Sequence, residues 1–321
     1  MNILVLDSSF NKMQAANYSF SSDDNYQVLS SFSAQKGSQG EQALEILQEI
    51  ATDPTASKLY AEYKYVMFNR GPGSFVGTRI STSLTQGIAT VNPEVKVIAV
   101  SSLEMLAQQI RLLALLASQH QLEIPAFTNK TKIFVAIDAN MGESYVASFN
   151  WHQLKDTNEL ILDLAGKEQL IKKAELEQIY LATQSSDLAM REQIIAANNY
   201  THKFGFEVKD QVILVGNAWN KYYPAGQTLV QQLSDEVVAR QLYPLISGYF
   251  QKHLLIPKLE QNQRVTIEED LMDDIFAFFE QITELPDVRF LAPLIIDKIK
   301  AQDFTSRLNI EPTYIRDKVT Y

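Results

Sequence analysis

A strand-like segment that ends in aspartate occurs twice in this sequence, and the repetition constrains the fold more than any other feature. Residues 3–6 are apolar and run into Asp7, and residues 134–137 are apolar and run into Asp138. In both places a small residue, a polar residue and a second strand-like stretch follow. The repetition favours a duplicated sheet domain whose two Asp-ended strands face a shared cleft. Two unrelated strands of an α/β protein would also look alike, so that interpretation stays open.

Other short apolar runs, bounded by turn residues, are typical of strands; they lie at residues 26–32, 65–68, 95–100, 144–149 and 212–215. Helical patterns fall between them. Ser38 with Glu41, and Ser101 with Glu104, have the spacing of a capping box, and Ser74 precedes a third helical pattern. We expect helices over about residues 39–51 and 75–89, and another from Ser101. Strands that alternate with helices predict an α/β protein.

The length of 321 residues suggests about two domains. We predict a first subdomain over residues 1–112 and a second, with insertions, over residues 113–321. The C-terminal segment of the second is able to pack back on the first. Residues 151–210 are polar and mostly helical in pattern.

Composition excludes several classes of protein. The chain has no cysteine, which excludes a disulfide scaffold, a cysteine-ligated metal site and a thiol nucleophile. Its 28 basic and 38 acidic residues give a net charge of −10. We therefore expect no strong direct binding of tRNA, because such affinity comes mainly from neutralised phosphates. No stretch approaches the roughly 20 apolar residues of a membrane span, and the first apolar run is too short for a signal peptide. The expectation is a cytoplasmic protein that contacts no membrane.

A glycine-rich segment, Arg-Gly-Pro-Gly-Ser-Phe-Val-Gly-Thr-Arg-Ile at residues 70–80, joins a predicted strand to a predicted helix. Glycine permits a positive φ and a close backbone approach, and a helix N-terminus presents free N–H groups to an anion. The Gly-Lys-Ser/Thr ending of a Walker A loop is absent. The segment is equally compatible with a tight turn that holds no ligand. Candidate nucleotide- or phosphate-binding residues are Asp7, Ser8, Ser9, Gly71, Gly73, Ser74 and Asp138.

The histidines do not form the patterns expected of a metallopeptidase. His120, His152, His202 and His253 are the four in the chain, and no two lie within one helical turn of each other. The paired-ligand spacing of metallopeptidases is therefore missing, as is a Gly-x-Ser-x-Gly nucleophile elbow. The sequence predicts no catalytic residue and no metal site.

The glycine-rich segment resembles the signature Gly-Pro-Gly-Ser-Phe-Thr-Gly-x-Arg-Ile-Gly of the TsaB (YeaZ) family. Further similar segments occur in the family's order at residues 3–9, 86–89, 100–107, 137–145, 215–219 and 311–316. The sequence departs from the family pattern at four positions. Ser81 and Ser83 replace glycines, Asn140 replaces an arginine and Ala218 replaces a turn glycine. The resemblance implies a duplicated fold of the actin, Hsp70 and sugar-kinase type, with two mixed-sheet subdomains.

The resemblance also implies a role. The chain would be a non-catalytic subunit that binds TsaD and TsaE for the threonylcarbamoylation of the adenosine beside the anticodon in tRNAs reading ANN codons. Without TsaD it would form a homodimer. It would require no cofactor of its own, and ATP or ADP would bind weakly at the complex interface. The implied partner interface comprises residues of two helices: Leu44, Leu47, Gly77, Thr78, Ile80, Ser81, Thr82, Leu84, Thr85 and Ile88.

Two alternatives remain open at the level of sequence. One is an active enzyme of the same fold, either an ATP-dependent phosphotransferase or a peptidase. The other is a structural protein that self-associates through the same helices. Turnover of ATP or a tightly bound metal would favour the active enzyme. A stable homodimer that does not bind TsaD would favour the structural protein.

Overall fold

The computed structural model describes residues 1–10, 12–23, 25–32, 40–51, 60–119, 131–153, 160–223, 236–253, 279 and 281–315. These residues form two compact units. Unit 1 contains Met1–Met105 and two later pieces that begin at Ser247 and Asp287. Unit 2 contains Leu106–Ile246 and a piece that ends at Pro286. None of the described helices is long and apolar enough to cross a membrane.

Unit 1 is built on a mixed five-stranded sheet with the strand order β3-β2-β1-β4-β5. Strand β1 pairs antiparallel with β2 and parallel with β4. The side chains of residues 3–6 in β1 are fully buried, as expected of a strand that is covered on both faces. The strands are β1 (Asn2–Asp7), β2 (Gln14–Ser22), β3 (Asn25–Phe32), β4 (Tyr65–Asn69) and β5 (Lys96–Val100).

Three helices follow the strands of this sheet: α1 (Ala43–Glu49), α2 (Phe75–Val91) and α3 (Ser102–Gln119), the last of which continues into unit 2. Helices α1 and α2 pack on the sheet around one core, where Leu47 and Ile88 lie among Leu4, Val66 and Phe68. Burial of such side chains is the main stabilising contribution to a unit of this kind.

Unit 2 repeats the arrangement. Its mixed sheet has the order β8-β7-β6-β9, and β6 pairs antiparallel with β7 and parallel with β9. Strand β6 thus has the same neighbours as β1, and both end in the aspartates of the repeated pattern. The predicted duplication of a mixed α/β sheet is confirmed. The strands are β6 (Thr131–Asp138), β7 (Glu143–Gln153), β8 (Leu160–Lys172) and β9 (Gln211–Val215).

The remaining described α-helices are short or lie late in the chain. Four belong to unit 2: α4 (Lys173–Gln184), α5 (Leu188–Ala197), α6 (Tyr200–Phe204) and α7 (Asn217–Tyr222). Helix α8 (Glu236–His253) runs from unit 2 into unit 1, and α9 (Ala292–Lys300) belongs to unit 1.

The secondary structure predicted from the sequence was wrong or incomplete in three places. A second strand-like stretch was expected after Asp7, but the bounds of β2 were not predicted, because its sequence is rich in Ala, Asn and Ser rather than in β-branched residues. Strand β8 lies in the stretch predicted to be mostly helical, where pairing with β7 over most of its length overrides its charged residues. Helix α1 begins at Ala43, after a Gln42 whose side chain makes no capping bond; Ser38 lies outside the described residues.

Two predicted helix starts are confirmed. Ser74 caps α2, because its Oγ accepts a hydrogen bond from the Gly77 N–H at 3.2 Å. At the start of α3 the Ser101 Oγ accepts from the Glu104 N–H at 3.0 Å. Both caps satisfy N–H groups that a helix leaves without an internal partner.

Candidate functional site

The carboxyl group of Asp7 is buried in the turn that follows β1. Its Oδ1 accepts hydrogen bonds from the Ser9 N–H at 2.8 Å and from Asn69 Nδ2 at 2.9 Å. Its Oδ2 is buried and has no hydrogen-bond partner. Burial raises the pKa of Asp7 to about 6, although the bonds from Ser9 and Asn69 oppose that shift. The shift is upward because burial removes water from the carboxylate and so penalises its charged form.

Asn69 joins three segments at the end of β4, and the sequence analysis missed it. Besides its bond to Asp7, its Oδ1 accepts from the Gly71 N–H at 2.9 Å and from Ser102 Oγ at 3.0 Å. A fully buried amide thus connects the turn after β1, the glycine loop and the start of α3. A polar residue at the end of an apolar strand, on the same sheet edge as Asp7, was the available signal.

The glycine loop lies directly against the turn after β1. The Ser74 N–H donates to the Ser9 carbonyl oxygen at 2.7 Å. A Cβ on Gly73 would overlap that same carbonyl oxygen, and a Cβ on Gly77 would overlap the carbonyl oxygen of Ser8. Gly71 needs its positive φ of 96° for the turn itself. The glycines therefore serve a close contact of backbone with backbone, and the structure favours a tight turn over a phosphate cradle.

Ser8 connects the same turn to the middle of α2. Its hydroxyl donates to the Gly77 carbonyl oxygen at 2.6 Å and accepts from the Ser81 N–H at 3.2 Å. Those two backbone groups lie one helical turn apart, so the Ser8 hydroxyl bridges them. The hydroxyl oxygens of Ser8 and Ser81 are 2.7 Å apart. Ser8 and Ser81 are both fully buried, so this contact fixes which face of α2 is turned toward β1.

Burial within unit 1 divides the residues of the predicted interface into two groups. Seven of the residues predicted to meet a partner are buried within the chain's own structure: Leu47, Gly77, Thr78, Ser81, Thr82, Thr85 and Ile88. They are small or apolar because they pack in unit 1, and a partner would not reach them. Ile80 and Leu84 are half-buried, and Leu44 on α1 is 58% exposed. Those three remain available to a partner.

The opposite side of α2 is exposed, and besides the polar Arg79, Gln86 and Thr90 it carries a row of small or apolar side chains. We call this row the outer face, and it consists of Val76, Ser83, Gly87 and Val91, flanked by Ile80 and Leu84. Val76 and Val91 are 63% and 65% exposed. Nothing lies within 4 Å of a Cβ built on Gly87. Small side chains along a helix allow a second helix to approach closely, so this face has the shape that the interface prediction required.

Asp138 in unit 2 is held differently from its counterpart Asp7. Its Oδ2 forms an ion pair with Lys221 Nζ at 2.7 Å, and its Oδ1 accepts from the Tyr222 hydroxyl at 3.1 Å. The hydrogen bond to Asp138 raises the pKa of Lys221. The carboxylate is thus already paired within its own unit. The shared cleft between Asp7 and Asp138 stays a prediction.

Two of the histidines that the structure describes have evident structural partners. His253 stacks on the ring of Tyr26 with centroids 4.2 Å apart, and its Nδ1 lies 2.9 Å from the Tyr26 carbonyl oxygen. Burial lowers the pKa of His253. His152 lies 3.5 Å from Asp163 at the surface. Across the described ranges, no three His, Asp or Glu side chains come together in a group that could hold a metal ion; His120 lies outside those ranges.

Comparisons with known proteins show which family this chain belongs to. The family model described as TsaD, tRNA N6-adenosine threonylcarbamoyltransferase, matches residues 41–247. The curated tRNA threonylcarbamoyladenosine biosynthesis protein TsaB of Escherichia coli (strain K12) is 31% identical over 115 residues. That match spans 34% of this chain and 42% of the relative, so the chain matches less than half the length of this relative.

Two solved structures share the fold. One is described as YeaZ from Pseudomonas aeruginosa, with a TM-score of 0.51, 18% identity and coverage of 98% of this chain and 99% of that one. The other is described as an uncharacterized protein with similarity to peptidase YeaZ from the same organism, with a TM-score of 0.52 and the same identity and coverage. At this identity the likeness concerns the fold.

Proposed function

Because this chain belongs to the family of TsaD, tRNA N6-adenosine threonylcarbamoyltransferase, and its resemblance to TsaB (YeaZ) is confirmed, we propose that it acts in the biosynthesis of threonylcarbamoyladenosine in tRNA. Its task is that of a non-catalytic subunit, which binds a TsaD-type catalytic subunit through α1 and α2 and also binds TsaE. The modified nucleoside is the adenosine beside the anticodon of tRNAs reading ANN codons.

The outer face of α2 is the observation that carries this proposal. It is exposed, small and apolar, whereas the inner face is fixed to β1 by the bond between Ser8 and Ser81. Leu44 adds exposed apolar area on α1. Exposed apolar surface of this kind marks protein–protein contacts. A partner helix packed along Val76, Ser83 and Gly87 would bury this surface without disturbing the core of unit 1.

The arrangement of the polar groups supports a non-catalytic role. A phosphotransferase of this fold needs a carboxylate and an open phosphate cradle. Here the glycine loop is closed by the turn after β1, and the carboxylate of Asp138 is paired with Lys221. The backbone at Gly73 and the side chain of Asp138 are therefore committed to the fold. Any nucleotide contact belongs to the interface with the catalytic subunit, and its affinity for this chain alone is low.

Self-association through the outer face is the competing outcome. In the absence of the catalytic subunit, two copies are expected to cover the same surface, because each copy presents the same apolar helix. Such a homodimer would compete with the heterodimer rather than exclude it.

Mixing experiments test the proposal. The protein is combined with the TsaD-type subunit of the same organism and followed by size-exclusion chromatography with light scattering, next to Ser83→Arg and the conservative Ser83→Ala. Arginine at this exposed position blocks helix approach, whereas alanine permits it. We expect a heterodimer with the wild type and with Ser83→Ala, and loss of it with a folded Ser83→Arg. A protein that forms no heterodimer and remains a homodimer would contradict the proposal, as would turnover of ATP by the isolated chain.

A further inference from the structure

A short C-terminal segment, residues 310–314, runs alongside α2 in unit 1. Gln86 Nε2 donates to the Ile310 carbonyl oxygen at 2.7 Å. At the other end, the Thr313 N–H donates to the Arg70 carbonyl oxygen at 2.7 Å. These two attachments bring Tyr314 beside the first turns of α2, although it lies 235 positions after Arg79 in the sequence.

Tyr314 and Phe75 hold the side chain of Arg79 in place. The Arg79 guanidinium carbon lies 3.6 Å from the centroid of the Phe75 ring. Arg79 Nε donates to the Tyr314 hydroxyl at 3.0 Å, and the two aromatic rings have centroids 5.8 Å apart. Attraction of a guanidinium to an aromatic face stabilises this arrangement. These contacts favour one orientation of a surface arginine, a residue type that ordinarily samples many rotamers.

Among the described residues, the Arg79 guanidinium has no carboxylate partner. In the part of the chain that the structure describes, no Asp or Glu lies within ion-pair distance of Arg79, although acidic residues outnumber basic ones by 38 to 28. Its Nε donates to the Tyr314 hydroxyl, and its guanidinium carbon lies over the Phe75 ring. A planar fork of N–H donors matches the two oxygens of a carboxylate. Fixing it beforehand lowers the entropy cost of binding one.

The surroundings of Arg79 are exposed and apolar. Val76 is 63% exposed, Tyr314 is 49% exposed and Phe75 is 41% exposed. Arg79 lies between Val76 and Ser83 on the exposed side of α2, so this patch overlaps the N-terminal end of the outer face. Aromatic residues and arginine are the types most enriched where truncation costs binding energy at protein interfaces.

We propose that Arg79, positioned by Phe75 and Tyr314, receives an Asp or Glu carboxylate of the partner protein that covers the outer face of α2. The inference rests on the proposed function and specifies the chemistry of that partner's surface. An apolar side chain of the partner lies next to its carboxylate, against Val76 and Phe75. Tyr314 is a positioning residue, because it acts through Arg79.

A carboxylate fits this patch better than an RNA phosphate does. Binding of RNA backbone depends on several cations that neutralise successive phosphates, and this chain has a net charge of −10. One arginine within an apolar border is instead typical of a protein contact, where a single charge pair is partly shielded from water.

The test measures the affinity of the full-length protein for the TsaD-type subunit by calorimetry at low and high salt. Arg79→Gln is compared with Arg307→Gln, which removes the same charge from another exposed position of unit 1. We expect Arg79→Gln to weaken binding by about tenfold or more, with a smaller salt dependence than the wild type. The Arg307→Gln control should stay within about twofold of the wild type. Denaturation midpoints establish that each variant is folded.

Tyr314→Phe supplies a second, independent readout. It removes only the hydroxyl that accepts from Arg79, so it should weaken binding in the wild-type background and have no further effect in the Arg79→Gln background. Additive losses would overturn the positioning role of Tyr314.

Equal affinities of Arg79→Gln and Arg307→Gln would overturn the inference while leaving the proposed function intact. If the isolated chain binds tRNA and Arg79→Gln abolishes that binding, the inference is also overturned, because the ligand of Arg79 would then be an RNA phosphate. Absence of any complex with the wild type would overturn both proposals.

Discussion

The hydroxyl oxygens of Ser8 and Ser81 lie 2.7 Å apart and join the turn after β1 to the middle of α2. Because Ser8 also bridges the Gly77 carbonyl and the Ser81 N–H, the helix cannot rotate about its axis without breaking three buried hydrogen bonds. The inner face of α2 is therefore committed to the sheet. The outer face is left for a partner, and the two faces should respond oppositely to substitution.

Two glycines of α2 provide the first contrast. Gly77→Ala places a Cβ against the Ser8 carbonyl oxygen, so the turn or the helix must shift; we expect the free energy of unfolding to fall by about 2 kcal/mol or more. The Cβ that Gly87→Ala adds has nothing within 4 Å. This variant should raise the free energy of unfolding by about 0.5–1 kcal/mol, because alanine restricts the unfolded chain and favours a helix. Urea denaturation of both variants measures the difference. Equal effects would show that Gly77 does not contact the turn.

Two serines of the same helix provide the second contrast. Ser81→Arg forces a charged side chain into a fully buried position and should lower the free energy of unfolding by about 3 kcal/mol or more. Ser83→Arg, on the exposed side, should change it by no more than about 0.5 kcal/mol. Thermal unfolding followed by circular dichroism distinguishes them. A stable Ser81→Arg protein would mean that the helix can turn its other face to the sheet.

The buried carboxyl of Asp7 predicts a pH dependence of stability. Its pKa is raised from 3.8 to about 6 in the folded protein. Between these two pH values, the folded state therefore holds a proton that the unfolded state has lost. The stabilisation that this proton provides is fully present below the unfolded pKa and is lost as pH rises through about 6. At about 1.4 kcal/mol per pKa unit, the total loss is about 3 kcal/mol.

Asp7→Asn tests this dependence, because an amide keeps the Oδ1 acceptor and does not ionise. Relative to the wild type, the variant should gain stability between about pH 5 and about pH 8. Urea denaturation at the two pH values measures the gain. Glu94→Gln, at an exposed position, is the matched control and should show no such gain. A constant difference between Asp7→Asn and the wild type would mean that Asp7 is ionised throughout.

The duplicated α/β fold was predictable because the sequence contains two apolar segments that both end in aspartate. In the structure these segments are β1 and β6, which occupy equivalent places in their sheets. The role of Asn69 was not predictable, because two of its three side-chain partners, Asp7 and Ser102, come from segments distant in sequence. The faces of α2 could not be separated by periodicity. Gly77 and Ser81 point inward while Ser83 and Gly87 point outward, and the four are chemically alike. The contacts of α2 with Ser8 and with the core of unit 1 distinguish the two faces.

The central claim is that this protein supports threonylcarbamoyladenosine formation through the outer face of α2. The most direct test is to deplete it in its own organism and quantify that nucleoside in digested tRNA by liquid chromatography and mass spectrometry. We predict that the nucleoside falls, and that wild type and Ser83→Ala restore it whereas an equally abundant Ser83→Arg does not. An unchanged level after depletion would contradict the proposed function, and full rescue by Ser83→Arg would contradict the role of the outer face.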